Sequence, residues 1–195
     1  LVDLSRKRDA DAEYALGLMA YDGKGLAKNL RQAFRLVERA AGRGHLAAQN
    51  TLGFFHEHGV GTAINAEQAL NWYRRSADAG NARAQVNVGW LYEQGMSVPK
   101  NPATAADWYA KAAAQGLPAA RLNLARLYEQ GSGVDKDTRK AMELYEKAVA
   151  AGLNTARLPL ARLLEASGDM AAATKHYVQL AATATTIPNT ANATN

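Results

Sequence analysis

The chain has 195 residues and a net charge of +5, and 48% of its residues are hydrophobic while 21% are charged. It contains no cysteine, which excludes disulfide scaffolds, thiol catalysis and cysteine-ligated zinc. The composition is too apolar for a fully disordered chain, and no apolar run approaches the roughly 18 residues that a membrane-spanning helix needs.

Residues 1–8 are predicted to be the end of a preceding second helix or an N-terminal cap. Within them, Leu1 and Leu4 fall in register with Val37 and Ala40 of the units that follow. The chain begins with leucine, and no signal-like apolar segment follows, so we expect that a targeting segment has been removed.

Glycine, alanine and tyrosine then recur at intervals of 36 residues, and no insertion breaks their register. The columns are Gly17, Gly53 and Gly89; Gly23, Gly59, Gly95 and Gly131; Gly44, Gly80, Gly116 and Gly152; Ala33, Ala69, Ala105 and Ala141; and Tyr73, Tyr109 and Tyr145. The period predicts four equal units, with bounds at 9–44, 45–80, 81–116 and 117–152. Internal repeats of this length indicate a solenoid, in which each unit buries its faces against its neighbours.

Each unit is predicted to form two helices joined by a short turn. In the second unit, Ala48, Leu52 and Phe55 recur at i, i+4 and i+7, which places them on one face of a helix that Gly59 ends. Each second helix follows a short polar residue that is suited to cap its free N–H groups. These caps are Asn29, Asn65, Asn101 and Asp137.

The last unit, predicted at 153–182, is shorter, because Tyr177 follows Tyr145 by 32 residues instead of 36. Pro159 lies inside its first helix, where it is expected to remove an internal hydrogen bond and kink the helix. Residues 183–195 carry no charge and few apolar side chains, so they are predicted to form a disordered tail. Together the elements predict an all-α fold, a right-handed α/α superhelix (solenoid) of about five helix-turn-helix repeats.

The repeat resembles the Sel-1-like repeat, a relative of the tetratricopeptide repeat, over residues 9–181. The strings that carry the resemblance are LGFFHEHGVG (52–61), VGWLYEQG (88–95) and LARLYEQGSGV (124–134) in the first helices, and ALNWYRRSA (69–77) and AADWYAKAA (105–113) in the second. The departures are Ala125 and Ala161 in the first glycine column and Ser97 in the second loop position. The resemblance implies an α/α superhelix that binds another polypeptide, often in bacterial envelope, secretion or signalling assemblies, without catalysis or cofactor.

In repeats of this kind the first helices line the concave surface, so the resemblance places a partner there. Four positions in each first helix are predicted to face the partner. They lie three residues before, and one, four and five residues after, the column that contains Gly17, Gly53 and Gly89; we call these positions slots. The predicted binding residues are Tyr14, Leu18, Tyr21, Asn50, Phe54, Glu57, His58, Trp90, Glu93, Arg126 and Arg162. Aromatic side chains followed by arginines suit an extended or helical peptide with an apolar and an acidic segment.

Two structural alternatives stay open at this point. In one, Phe54 and Trp90 are partly covered by the superhelix or pack against neighbouring first helices. In the other, the glutamates are structural, and Glu129 and Glu165 pair with the arginines three residues before them.

No catalytic residue, metal site or cofactor is predicted. His56 and His58 flank Glu57, but residues two apart on a helix point in nearly opposite directions, so the two imidazoles cannot share an ion. The Gly59-Val60-Gly61 loop lacks the preceding strand and the Lys-Ser or Lys-Thr pair of phosphate-binding loops.

The leading prediction is therefore a non-catalytic, monomeric scaffold that binds a protein or peptide, in the periplasm or envelope of a bacterium. The alternative is an envelope module that binds a polysaccharide or a peptidoglycan fragment. Nucleic acid is not a predicted partner, because the one local basic row, Arg31, Arg35 and Arg39, is typical of a solvated helix face.

Overall fold

The computed structural model describes residues 9–185, and within this range all regular structure is helical. The described residues do not include 1–8 or 186–195. The predicted N-terminal remnant and most of the predicted tail therefore lie outside them. The described helices are α1 (Ala10–Asp22), α2 (Leu30–Gly42), α3 (Leu46–His58), α4 (Ala66–Asp78), α5 (Ala82–Gln94), α6 (Pro102–Ala114), α7 (Pro118–Gln130), α8 (Thr138–Ala150), a 3₁₀ turn (Asn154–Ala156), α9 (Arg157–Ala166) and α10 (Met170–Thr185).

The helix boundaries repeat with the period of the sequence. The first helices α1, α3, α5 and α7 begin at residues 10, 46, 82 and 118, and the second helices α2, α4, α6 and α8 begin at 30, 66, 102 and 138. Each of these eight helices has 13 residues. The prediction of an all-α fold built from helix pairs is confirmed.

The predicted caps are present at the start of the second helices. The Oδ1 atoms of Asn29, Asn65 and Asn101 each accept a hydrogen bond at 3.0 Å from the backbone N–H three residues later. Asp137 does the same at 2.9 Å. These bonds satisfy donors that have no acceptor inside the first turn of a helix, and they fix where each second helix begins.

The first helix α3 has a less common cap. Nδ1 of His45 accepts from the N–H of Ala48 at 2.9 Å, where the next repeat uses Oδ1 of Asn81. Because Nδ1 accepts, the ring proton lies on Nε2, which is 3.3 Å from Oδ1 of Asp11. The cap of one first helix is thus tied to the preceding first helix.

The turn between the two helices of a pair requires left-handed backbone. Gly59 ends α3 with φ of +69°, and Gly61 has the same φ. A Cβ atom on Gly61 would lie 2.1 Å from the carbonyl oxygen of Leu30, so the loop passes directly against the start of α2. Ser97 holds the equivalent position in the next repeat with φ of +62°, and it is the only non-glycine residue with positive φ among those described.

The glycine column of the first helices permits close contact within each pair. A Cβ atom on Gly53 would lie 2.7 Å from the ring of Tyr73, and one on Gly89 would lie 2.7 Å from the ring of Tyr109. The tyrosine rings therefore pack directly on the backbone of the first helix. This contact explains why glycine and tyrosine recur with the same period.

The described chain forms two compact units that divide after Gln115. Unit 1 contains α1–α6, and its core includes Val37, Leu52, Phe55 and Tyr73. Unit 2 contains α7–α10 and has a separate core. That core includes Ala125, Tyr145 and Leu160.

The last repeat corrects two predictions. The predicted kink at Pro159 is wrong: α9 begins only at Arg157, after the 3₁₀ turn, so Pro159 lies in its first turn, where a missing N–H removes no helical hydrogen bond. Helix α10 continues to Thr185, so the first residues of the predicted tail, from 183 to 185, are helical.

A column of buried polar side chains has no counterpart in the sequence predictions. It consists of Glu13, Gln49 and Gln85, which are at most 5% exposed. Nε2 of Gln49 donates to the carbonyl of Ala41, and Nε2 of Gln85 donates to that of Ala77, both at 3.2 Å. These bonds connect α3 to the end of α2 and α5 to the end of α4.

Each side chain of this column has a second polar atom at its end, and this atom has a partner in two of the three repeats. Glu13 forms an ion pair with Arg43 and with Arg39, so one member of the predicted solvated arginine row has a structural role. Oε1 of Gln85 accepts from Nε2 of Gln115 at 2.8 Å. Oε1 of Gln49 is buried without a hydrogen-bond partner among the described residues, because Ala79 stands 36 residues after Arg43 and 36 before Gln115.

Candidate partner-binding face

The first helices of unit 1 each leave one side without a covering second helix. On a helical projection of 100° per residue, this side lies about 60° to 160° from the direction of the glycine column. We call its residues the first-helix face: Asp11, Tyr14 and Leu18 of α1, Asn50, Phe54 and His58 of α3, and Arg83, Asn87 and Trp90 of α5. All nine are half-buried or exposed.

Polar contacts connect the three helices across this face. The hydroxyl groups of Tyr14 and Thr51 are 3.0 Å apart and join α1 to α3. Nδ2 of Asn87 donates to Oδ1 of Asn50 at 2.9 Å and joins α5 to α3. The three helices of the face are therefore held side by side by their own side chains.

Two aromatic residues of the face hold the same slot, one residue after the glycine of their helix. Phe54 is half-buried, contacts both hydrophobic clusters of unit 1, and stacks on His58 with ring centroids 4.2 Å apart. Trp90 is 37% exposed. The alternative that these rings are partly covered holds for Phe54 and, to a smaller extent, for Trp90, whose exposed 37% remains open to a partner.

Opposite charges occur at corresponding positions on the two outer helices of the face. Asp11 precedes the glycine of α1 by six residues, and Arg83 precedes that of α5 by six. The side chain of Asp11 is 89% exposed, and Arg83 is exposed. The neutral residue Ala47 holds the same position on α3, so the charge changes sign from α1 to α5.

Tyr21 was predicted to face the partner, and this prediction is wrong. Its ring packs against the core of unit 1, with its centroid 5.4 Å from that of Phe55. Four residues along a helix turn the side chain by about 400°, which leaves this slot only about 40° from the glycine direction. Since the glycines face the second helix, the slot four residues later faces it as well.

Glu57 and Glu93 occupy that same slot and are corrected for the same reason. Oε2 of Glu57 accepts from the hydroxyl of Tyr73 at 2.6 Å, and Oε2 of Glu93, which is buried, accepts from that of Tyr109 at 2.8 Å. In the first repeat both partners are replaced together, by Tyr21 and Val37. The carboxylates therefore connect the two helices of a pair.

The same bond occurs twice in unit 2. Glu129 accepts from Tyr145 at 2.7 Å, and Glu165 accepts from Tyr177 at 2.8 Å. These glutamates have a structural role, as the alternative expected, but the partners that the structure shows are tyrosine hydroxyls, whereas the alternative named the arginines three residues before them. Arg126 is half-buried on α7, and Arg162 is exposed on α9.

Burial, and then the hydrogen bond to the carboxylate, raises the pKa of Tyr73 and Tyr145 well above the ordinary value. Both hydroxyls therefore remain protonated donors at neutral and moderately alkaline pH. A deprotonated glutamate can only accept hydrogen bonds, so the pairing has one orientation.

The two histidines that flank Glu57 lie in different environments. His58 belongs to the first-helix face, whereas the ring of His56 packs edge-on against Phe34 with centroids 5.3 Å apart. Nδ1 of His56 is buried without a hydrogen-bond partner among the described residues, and burial lowers the pKa of this side chain. Between residues 9 and 185 no group of three or more histidines and carboxylates is placed to hold a metal ion.

A family model described as the Sel1 repeat matches residues 10–45, 46–81, 82–117 and 118–153. The chain belongs to the Sel1-repeat family. Each matched stretch begins at the first residue of a first helix, that is, of α1, α3, α5 or α7. Proteins with Sel1 repeats generally mediate protein–protein interactions, and their fold is typically a non-catalytic scaffold.

Solved structures agree with this assignment. A Sel1 repeat protein from Oxalobacter formigenes is 34% identical with a TM-score of 0.76, over 80% of this chain and 62% of its own. A protective antigen of uropathogenic Escherichia coli that displays an SLR fold is 30% identical with a TM-score of 0.77, over 82% of this chain and 34% of its own. This Sel1-repeat chain thus spans less than two thirds of either relative.

A third structure shows the fold alone. An immunity protein from Pseudomonas aeruginosa is 22% identical with a TM-score of 0.58, over 87% of this chain and 63% of its own. A comparison with curated proteins found no match. Among the described helices of the Sel1-repeat chain, none is both long and apolar enough to cross a membrane.

Proposed function

We propose that this Sel1-repeat protein is a non-catalytic scaffold that binds a protein or peptide on the first-helix face of unit 1. The observation that carries the proposal is Trp90, a large aromatic side chain that is 37% exposed in the slot that Phe54 occupies on the preceding first helix. Polar contacts join the three first helices of this face. Tryptophan is enriched among the residues that dominate binding energy at interfaces.

The surroundings of the two rings support this role. Polar groups of Asn50, Asn87 and His58 lie on the same face, within about one helical turn of Phe54 or Trp90. An apolar centre with a polar rim is the usual anatomy of an interface. The face is also positioned by helices and not by loops, so a partner would meet a preformed surface and bind with little loss of conformational entropy.

The proposal can be tested with a random library of linear peptides displayed on phage. Peptides are selected on the wild-type protein and then measured by isothermal titration. We expect Trp90→Ala to weaken binding of the selected peptides by at least about fivefold, which corresponds to about 1 kcal/mol. Circular dichroism should show the same helical content, since the side chain is not part of the core.

Ile64 provides a matched control, because it is a large apolar side chain that is 71% exposed but lies in the loop before α4. Ile64→Ala is expected to leave the affinity unchanged. If no peptide is selected, or if the selected peptides bind the Trp90→Ala and wild-type proteins equally, the first-helix face is not the binding surface.

Arg126 and Arg162 form a separate part of the proposal, because they belong to unit 2. They occupy the slot of Phe54 and Trp90 on α7 and α9, and Arg162 is exposed. We expect acidic residues of a partner to contact these two arginines. If Arg162 contributes, the Arg162→Ala protein should bind the partner more weakly, and the wild-type affinity should fall more steeply with salt than that of the variant.

A further inference from the structure

The amide pair formed by Asn50 and Asn87 has one acceptor and one donor left over. The bond between them uses Oδ1 of Asn50 and Nδ2 of Asn87. Nδ2 of Asn50 and Oδ1 of Asn87 have no hydrogen bond within the described chain. A donor on one amide and an acceptor on the amide bonded to it complement the C=O and N–H groups of a polypeptide main chain.

This pair lies next to the aromatic residues of the face. Asn50 precedes Phe54 by four residues on α3, and Asn87 precedes Trp90 by three residues on α5. Residues three and four apart on a helix are neighbours on its surface. A main chain that contacts the amide pair therefore has side chains within reach of both rings.

Only some partner conformations can use such a pair. In a helix the interior N–H and C=O groups already bond to each other, whereas an extended segment leaves them free. We propose that the first-helix face binds its partner as an extended segment, whose main chain bonds to Asn50 and Asn87 and whose apolar side chains pack on Phe54 and Trp90. This inference rests on the proposed function, and it specifies the conformation of the partner.

The spacing of the helices sets a pattern in the partner sequence. Packed helices lie about 8 to 10 Å apart, and an extended chain advances about 3.3 Å per residue. One step from α3 to α5 therefore corresponds to about three residues. Apolar residues at positions n and n+3 of the segment are expected to contact Phe54 and Trp90.

The charges of the face determine the direction of the segment. Asp11 on α1 and Arg83 on α5 are two helix steps apart, or about six residues of extended chain. A basic residue of the partner belongs beside Asp11, and an acidic residue belongs beside Arg83. A peptide with the two charges exchanged should bind less well, because like charges would then face each other.

The main-chain contact is tested with the selected peptides by methylating one backbone nitrogen at a time. We expect one or two methylated positions to lose at least about tenfold in affinity for the wild-type protein. In the Asn87→Ala protein, the Oδ1 acceptor of the peptide N–H is already missing, so the same methylation should reduce affinity by a factor at least about fivefold smaller. A coupling of this kind isolates the interaction between the two groups. Asn71→Ala, which removes an exposed asparagine from α4, is the control and should leave the methylation effect unchanged.

The conformation and direction are tested separately. Isotope-labelled peptide bound to the protein should show the NMR chemical shifts of extended backbone. Arg83→Glu should lower the affinity for the peptide, and a peptide whose acidic residue is changed to lysine should restore it. Helical shifts in a peptide that still depends on Trp90, or methylation effects that do not respond to Asn87→Ala, would overturn this inference and leave the proposed function intact. Absence of any Trp90-dependent peptide would overturn both.

Discussion

At the residue scale, the buried Oε1 atom of Gln49 marks a missing hydrogen bond in an otherwise repeated contact. The equivalent atom of Gln85 is bonded to Gln115, and that of Glu13 is bonded to Arg43. An unpaired buried acceptor costs about 1 to 3 kcal/mol relative to a paired one. We therefore expect Ala79→Gln, which places a donor at the matching position, to raise the free energy of unfolding by about 1 kcal/mol.

The measurement is urea unfolding followed by tryptophan fluorescence, which reports on unit 1 because its three tryptophans are Trp72, Trp90 and Trp108. The matched control is Gln115→Ala, which removes the donor from Gln85 and should lower the unfolding free energy. No gain from Ala79→Gln, together with a loss from Gln115→Ala, would mean that water already satisfies Gln49.

We expect His56 to make the stability of unit 1 depend on pH. Burial lowers its pKa in the folded chain, so the unfolded chain, with an ordinary value near 6.5, binds a proton first as the pH falls. The free energy of unfolding contributed by neutral His56 is therefore present above about pH 6.5 and is lost as the pH falls below that value. We expect the wild-type protein to lose stability between pH 8 and pH 5.5.

The variant that isolates this effect is His56→Tyr, because tyrosine occupies the same position in the next two repeats as Tyr92 and Tyr128. Tyrosine does not titrate in this range, so the stability difference between His56→Tyr and wild type should grow on acidification. Equal differences at pH 8 and pH 5.5, measured by urea unfolding, would assign the pH dependence to other groups.

At the element scale, one loop position has opposite requirements in neighbouring repeats. Gly61 has no room for a Cβ atom, because the carbonyl oxygen of Leu30 would be 2.1 Å away, whereas Ser97 carries one with φ of +62°. We expect Gly61→Ser to lower the unfolding free energy by more than about 2 kcal/mol. Ser97→Gly should raise it by roughly 0.5 kcal/mol, since relief of left-handed backbone exceeds the added chain entropy.

Both loop variants can be compared by thermal unfolding and by circular dichroism of the native state. The two substitutions exchange the same two residue types at equivalent positions, so composition is controlled. A similar effect of both in the same direction would mean that the loops are interchangeable and that the contact with Leu30 contributes little.

The helix pairs were predictable from the sequence because each is specified several times. The glycine after α3, the asparagine before α4 and the apolar spacing between them all agree, so an error in one signal is corrected by the others. The last repeat lacks this redundancy. The repeat pattern predicts Pro159 inside the first helix of this unit, because the unit offers no side-chain cap that shows where α9 begins.

The candidate face was only partly predictable, since neighbouring slots on a helix differ by small angles. The slots of Phe54 and Trp90 lie about 100° from the glycine direction, on the side that no second helix covers. The slot of Tyr21, Glu57 and Glu93 lies only about 40° from that direction and faces the second helix. The tyrosines whose hydroxyls bind these glutamates recur with the same period as the glutamates. This shared period was the signal in the sequence that could have indicated that the two residues bond to each other.

At the scale of the whole molecule, contacts within each of the two units run mainly between helices that follow one another in the chain. In such arrays the stability of each repeat depends on itself and its nearest neighbours. A local change in unit 1 should therefore destabilise nearby helices more than distant ones. The glycine column offers a sharp perturbation, because a Cβ atom on Gly89 would lie 2.7 Å from the ring of Tyr109.

We expect Gly89→Ala to cost about 1 to 3 kcal/mol and to act unevenly along unit 1. Hydrogen exchange followed by mass spectrometry should show the largest loss of protection in α5 and α6, a smaller loss in α4, and little change in α1 and α2. Gly42→Ala is the matched control, since Gly42 ends α2 with nothing within 4 Å of an added Cβ. A uniform loss of protection across unit 1 would show that its three repeats open as a single cooperative block, and the nearest-neighbour description would then fail.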